Sequence, residues 1–211
     1  MAFDYKKEYK HFYLPKSKPE VIDIPPMNFV SVVGKGDPNA ADGEYQTAMN
    51  VLHSLAYTIK MSYMGEHKIE GFFAYVVPPL EGLWWQDGSQ ALDLTRKGDL
   101  RWRSMIRLPE FVTMDVFEWA RTQAETKKKK DMSAAEFFTY REGLCVQCMH
   151  IGPYDAEAST IESMEAYATA QGYGLSIGGE RLHHEIYLGD PRKTNPSRLK
   201  TVIRQPIQKL D

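Results

Sequence analysis

The sequence is poor in cysteine. Only Cys145 and Cys148 occur in 211 residues, which provides no disulfide framework. Long hydrophobic runs are also missing, because no stretch approaches the roughly 20 apolar residues of a membrane-spanning helix. The opening MAFDYKKEYKHFYLPKSKPE has no apolar core of the kind a secretion signal carries. A cytoplasmic location away from any membrane is therefore expected. Charge of one sign is lacking as well: 26 Lys and Arg face 28 Asp and Glu, for a net charge of -2. Nucleic-acid binding draws on a concentrated basic face, so none is expected. The one basic run, Lys127 to Lys130, reads as a solvated helix end or loop.

What is present suits a single domain over 1–211, large enough to fold without metal or disulfide. Twelve Tyr, nine Phe, four Trp and ten Met would serve a pocket for flat apolar ligands, or equally an aromatic-rich core.

A weak internal duplication organises the chain. FVSVVGKGDP (Phe29 to Pro38) and CVQCMHIGPY (Cys145 to Tyr154) are each a β-rich run ending in a Gly-containing turn, with Val30 against Val146 and Gly36 against Gly152. A helix follows in both halves, opened by Asp42 and Glu44 in the first and by Asp155 and Glu157 in the second, as suits a helix N-terminus. Tyr45, Ala48, Met49, Leu52, Ala56 and Ile59 fall on one stripe of the first helix, and Ile161, Met164 and Ala168 on one stripe of the second. Two strands close each half. LEGLWWQDG aligns with HHEIYLGDP, and WRSMIRLP with LKTVIRQP, which sets Arg107 against Arg204.

Each half thus reads strand–helix–strand–strand: module one about 27–110, a connecting helical segment about 111–142, and module two about 143–207. Neither unit covers its own sheet. The predicted fold is α+β, with two modules related by a pseudo-twofold axis. They share one mainly antiparallel sheet, with helices on one face and a concave ligand cleft on the other. Gly71 to Val77 is expected to add an edge strand.

These elements resemble the GyrI-like small-molecule-binding family, which also supplies effector domains to AraC-type and MerR-type regulators. The resemblance rests on PPMNFVSVVGKGDPN, PPLEGLWW, HIGPYDAE with Thr160, and EIYLGDP followed by LKTVIRQPI. It runs over residues 20 to 207. It implies a central cleft for hydrophobic, often cationic aromatic compounds, and no cofactor. The LEGLWW stretch is most similar to stand-alone members, some of which hydrolyse cyclopropane-bearing, DNA-alkylating natural products.

Strand alternation then singles out one acid. Leu182, Ile186 and Leu188 form an apolar face expected to pack under the helices, with His184 the exception. His183, Glu185 and Tyr187 share the other face, expected to be uncovered. If Asp87 matches Asp190, Trp84 matches Tyr187 and Gly82 matches Glu185. The two aromatics then wall the cleft, and Gly82 leaves room opposite the carboxylate. Desolvation raises the pKa of such an acid, and a bound organic cation offsets that cost, with aromatic faces adding about 0.5–2 kcal/mol. The same group could act as a general base on water, a contribution of about 10²–10⁴-fold.

Tyr154 and His183 are the candidate catalytic partners of Glu185. His150 is a further candidate for holding the water or the leaving phenolate. Tyr75, Phe73, Met105, Phe111 and Phe137 are candidates for an apolar wall, each equally suited to the core. No metal site is expected: Cys145 and Cys148, three apart on a strand, point to opposite faces, and His183-His184-Glu185 alternates likewise. Gly34-Lys35-Gly36-Asp37 lacks phosphate-loop spacing and reads as a turn.

Three functions stay open: a cofactor-independent hydrolase of electrophilic aromatic compounds, a protein that sequesters aromatic cations, and an interaction protein acting on a partner such as DNA gyrase. The expected partner is a small aromatic molecule, and the expected state a monomer or weak homodimer.

Overall fold

A computed structural model describes residues 2–41, 43–89 and 92–210. In chain order the named elements are α1 (Tyr5–Glu8), α2 (Lys10–Tyr13), β1 (Glu20–Ile24), β2 (Met27–Lys35), α3 (Glu44–Lys60), β3 (Leu80–Trp85), β4 (Arg101–Arg107), α4 (Met114–Lys128), β5 (Glu136–Tyr140), β6 (Gly143–Ile151), α5 (Ala158–Ala170), β7 (Tyr173–Leu175), β8 (His183–Tyr187) and β9 (Lys200–Lys209), with short 3-10 turns between some of them. The strands pair antiparallel in the order β1-β6-β9-β8-β3-β4-β2-β5, and β7 pairs with β9. None of the described helices is long and apolar enough to cross a membrane.

The order is symmetric about the β8–β3 seam. The repeats expected from the sequence are β2-α3-β3-β4 and β6-α5-β8-β9, and Gly82 lies directly across from Glu185 at their junction. One alignment slips by two residues. Phe29, the equivalent of Cys145, faces Arg107, whereas Cys145 faces Pro206, so Arg107 corresponds to Pro206 and not to Arg204. An even slip preserves which face each side chain takes, and for that reason the sequence pattern tolerated it.

Only Pro25 and Pro26 separate β1 from β2, and only Arg141 and Glu142 separate β5 from β6, although these partners lie toward opposite edges of the strand order. The sheet must therefore curl. Its inside is one apolar cluster fed by the eight strands of the main path, through Ile24, Met27, Leu83, Met105, Tyr140, Met149, Ile186 and Val202. The open concave cleft expected on this side is filled by the chain itself. Tyr5, Phe12 and Tyr13 of the N-terminal helices are buried there, with Phe72, Phe73 and Tyr75 beside them.

Polar bonds anchor this plug. Arg204 donates to the carbonyl of Phe12, Gln147 donates to that of His11 at 2.7 Å, and Arg107 lies over the rings of Tyr5 and Tyr9 at 4.6 and 4.8 Å. Both arginines thus grip the N-terminal segment, from positions that are not equivalent. The stretch Gly71 to Val77 is not an edge strand: its ladder contact is the single bridge from Tyr75 to Phe3.

The outer face carries the long helices. α3 packs through Ala48, Leu52, Leu55, Ala56 and Ile59 on Val30, Val32, Trp102 and Ile106, with α4 alongside through Phe117 and Ala120. α5 packs through Met164 and Ala168 on Val146, Cys148 and Ile203. Asp42, expected to open α3, lies outside the described residues, and Gly43 stands at the cap. Thr113 Oγ1 caps α4, accepting from the Val116 N–H at 3.3 Å. α4 ends at Lys129, whose φ of 50° is left-handed, so the lysine run is a helix end as expected.

Candidate functional site

The two outer clusters leave a seam between α3 and α5, above β3 and β8. Glu185, His183 and Tyr187 point into it from β8 and Trp84 from β3. This is the helix-bearing face, because Trp84 packs in the cluster of α3 and Tyr187 against it. The expectation that Glu185 stands opposite the helices is corrected. Ile186, on the other parity, packs instead against the N-terminal plug inside the curl. The sequence shows which residues share a face but carries no sign of which face the helices choose.

Glu185 is the centre of the site. Its Oε1 lies 3.0 Å from His183 Nε2, and its Oε2 accepts from the Tyr187 hydroxyl at 2.7 Å. Tyr187 in turn accepts from Trp84 Nε1 at 2.8 Å. The glycine opposite makes this chain possible: a Cβ on Gly82 would come within 2.7 Å of Trp84 Nε1 and 3.2 Å of the Tyr187 hydroxyl. The space expected beside the carboxylate is thus occupied by the edge of the indole. Aromatic rings close the site from both modules. Tyr45, in the first turn of α3, stacks on Trp84 at 5.8 Å, and Tyr154, just before α5, meets Tyr187 edge-on at 5.6 Å. The Glu185 side chain keeps only 12% of its exposure.

A second acid stands beside it. Glu157, at the start of α5, is buried. Its Oε1 has no hydrogen-bond partner. Burial first, and then the charge of Glu185, push Glu157 up to about 10. Burial pushes Glu185 up as well, but the bonds from His183, Tyr187 and Glu157 outweigh it and hold Glu185 below the ordinary carboxylate range. Within the pair the balance favours the proton on the Glu157 side and the charge on the Glu185 side. Burial, then Glu185, raise Tyr154 to about 12, and the same two causes raise Tyr187. Glu157, His183 and Glu185 bring one polar atom each within 4.8 Å of the others. Two of the three already meet one another, His183 Nε2 and Glu185 Oε1 at 3.0 Å, while the other Glu185 oxygen holds the Tyr187 hydroxyl.

The other candidates lie elsewhere. His150 is a brace: Nδ1 meets Thr160 Oγ1 at 2.9 Å and Nε2 meets the Pro153 carbonyl at 3.2 Å, which fixes the turn that carries Tyr154. Phe73, Tyr75 and Met105 belong to the inner cluster on the opposite side of the sheet. Phe111 packs among Phe72, Phe73 and Tyr75, and Phe137 packs on Phe117 of α4. Tyr75 and Met105 are buried core, and Phe73, Phe111 and Phe137 are partly buried against it. Sequence reasoning took Glu157 and Tyr45 only as helix residues. The signal that could have found them is positional, since both follow the Gly-bearing turns and the symmetry aims both helix starts at the seam. An open groove of about 810 Å³ lies apart from the site, between α3 and α4, and includes Trp119 and His67.

A hydrolase from Listeria innocua is 46% identical, covering 98% of this chain and 100% of its own, with a TM-score of 0.89. An uncharacterized conserved protein from the same organism is 47% identical over 98% and 100%, with a TM-score of 0.92. The C-terminal domain of EcmrR, 12% identical over 92% and 98%, shares the fold with a TM-score of 0.58. No curated protein matches. Residues 17–208 match the family model of the GyrI-like small molecule binding domain, and the chain belongs to that family.

Proposed function

We propose that the seam binds flat, hydrophobic aromatic molecules, cationic ones included, and that Glu185 acts there as a general base in opening a strained, electrophilic carbon ring with water. One observation carries the reading: a largely buried acid at the junction of the repeats, ringed by Tyr45, Trp84, Tyr154 and Tyr187. A planar guest entering between the paired rings exchanges one stacking partner for another, so parting them costs little net contact. A positive guest gains further from the carboxylate and from the ring faces.

For a cyclopropane joined to a cyclohexadienone, the water oxygen bonds to a cyclopropane carbon as Glu185 takes its proton. The ring C–C bond breaks, and its electron pair moves to the carbonyl oxygen, which becomes a phenolate. The Tyr154 hydroxyl or the protonated Glu157 lies on the same side to meet that charge. His183 holds Glu185 in place. The 46% identical hydrolase from Listeria innocua favours turnover over simple binding.

The test is incubation with a cyclopropane-bearing alkylator while ring opening is followed. The expected result is turnover beyond one equivalent, reduced about 10²–10⁴-fold in Glu185→Gln. Saturable binding without product would favour the second reading, a sequestering protein in which Glu185 only complements charge. Full turnover in Glu185→Gln would remove Glu185 as the base.

A further inference from the structure

We propose that Glu157 and Glu185 hold one proton between them, and that a cationic aromatic ligand expels it, so that the seam exchanges a proton for a cation. This rests on the seam being the ligand site. The geometry begins with two buried carboxyl groups from different elements, α5 and β8, whose oxygens approach within 4.8 Å. Both Glu185 oxygens accept from protein donors, while Glu157 Oε1 is buried with no partner. Two carboxylates this close and this dry cannot both ionise cheaply, and they titrate as a pair.

Apart from His183, which meets Glu185 at 3.0 Å and is charged only when protonated, the surroundings bring no cation that could replace the proton. From α3 the pair is faced by Tyr45, from the turn before α5 by Tyr154 and Asp155, and from β8 by His183 and Tyr187, with Asp190 of the loop after β8 acting on Tyr154. The nearby lysine and arginine are engaged with the outlying acids: Lys97 pairs with Asp155 at 3.1 Å and Arg192 with Asp190 at 3.0 Å. Among the described residues, no arginine or lysine forms an ion pair with Glu157 or Glu185. Burial and the charge of Glu185 hold Glu157 up to about 10, so the pair keeps its proton at neutral pH. A guest cation beside Glu185 supplies the positive charge that the fold omits, and an opposite charge at such a distance lowers a carboxyl pKa by about 1–3 units. The proton then leaves to solvent wherever the pH exceeds that lowered value, about 7–9.

The sign follows from linkage. The cation favours the doubly ionised pair, so its affinity climbs as pH rises, by up to about tenfold per pH unit where the free pair holds the proton and the bound pair does not. A neutral guest of the same shape lacks this dependence.

The experiment uses the full chain with N-methylacridinium, a permanent planar cation, and with neutral N-methylacridone. Calorimetry in buffers of different ionisation heat, from about pH 7 to about pH 9, counts protons released on binding. Infrared spectroscopy of the ligand-free protein reads the carboxylic acid band independently. The expected results are an acid band at neutral pH that Glu157→Gln removes, proton release per acridinium that grows from about pH 7 toward one at about pH 9, and none per acridone. In Glu157→Gln, both the release and the pH dependence of acridinium binding disappear. Acridinium bound with no release and flat pH dependence would overturn the exchange while leaving the seam as the binding site. Release persisting in Glu157→Gln would overturn it by assigning the proton elsewhere. Failure of both ligands to bind would overturn the seam reading and the exchange together, and the acid band would still report whether the pair shares a proton.

Discussion

At the scale of single residues, Gly82 is the position where backbone and site chemistry meet. Any Cβ there falls 2.7 Å from Trp84 Nε1, closer than such atoms approach, and the wall it would push away is the one that hydrogen-bonds Tyr187 and, through it, Glu185. Gly82→Ala is expected to force Trp84 off its partner, at a cost of about 1–3 kcal/mol, the usual penalty for overpacking. It should also weaken binding of a planar aromatic ligand several-fold. Urea unfolding and tryptophan fluorescence on ligand addition check both parts. A variant that melts and binds like the wild type would show that the indole has room the geometry denies it. The sequence allowed half of this argument: it placed Gly82 opposite Glu185 but left the space beside it unfilled.

At the scale of elements, α1 and α2 are too short to persist alone, and the sheet holds them in place. Behind the site, on the inner face of β8, His184 bridges Glu142 at 3.0 Å and Glu81 at 3.1 Å. Glu142 accepts from Arg204 at 3.1 Å, and Arg204 donates to the Phe12 carbonyl of α2. Burial alone would pull His184 down, but the two carboxylates outweigh it and hold it up at about 9. A histidine raised in the folded state stabilises fully below its unfolded value and loses that contribution as pH rises through the folded one. The N-terminal plug should therefore loosen between about pH 7 and pH 10, read as faster backbone hydrogen exchange at Phe12 and Tyr13 and a falling urea midpoint. His184→Ala leaves Glu81 buried without a cation while Glu142 keeps Arg204, expected to cost about 3–5 kcal/mol and to remove that pH dependence. A wild-type midpoint unchanged over the same range would contradict the bridge. None of this network was legible in the sequence. His184 was noticed only as the polar exception on an apolar face, because its partners lie 42 and 103 residues away.

At the scale of the whole molecule, the repeats read from short motifs are the architecture: strand order, helix placement and the Gly82–Glu185 junction follow from them. What they could not supply is the closure of the sheet. The two-residue links Pro25-Pro26 and Arg141-Glu142 bring opposite edges together, and the curl then needs a filling. A long aromatic N-terminus, with no repeat partner to betray its role, provides it. With the inside occupied, the remaining meeting place of the two halves is the outer seam between α3 and α5, where Glu185 lies. That location is the central claim, and a crystal structure with bound N-methylacridinium tests it most directly. The account predicts the ring system between the Tyr45–Trp84 and Tyr154–Tyr187 pairs, in contact with the Glu185 carboxylate. A ligand found inside the curl in place of the N-terminal helices, or in the groove beside Trp119, with the rings over Glu185 undisturbed, would contradict it.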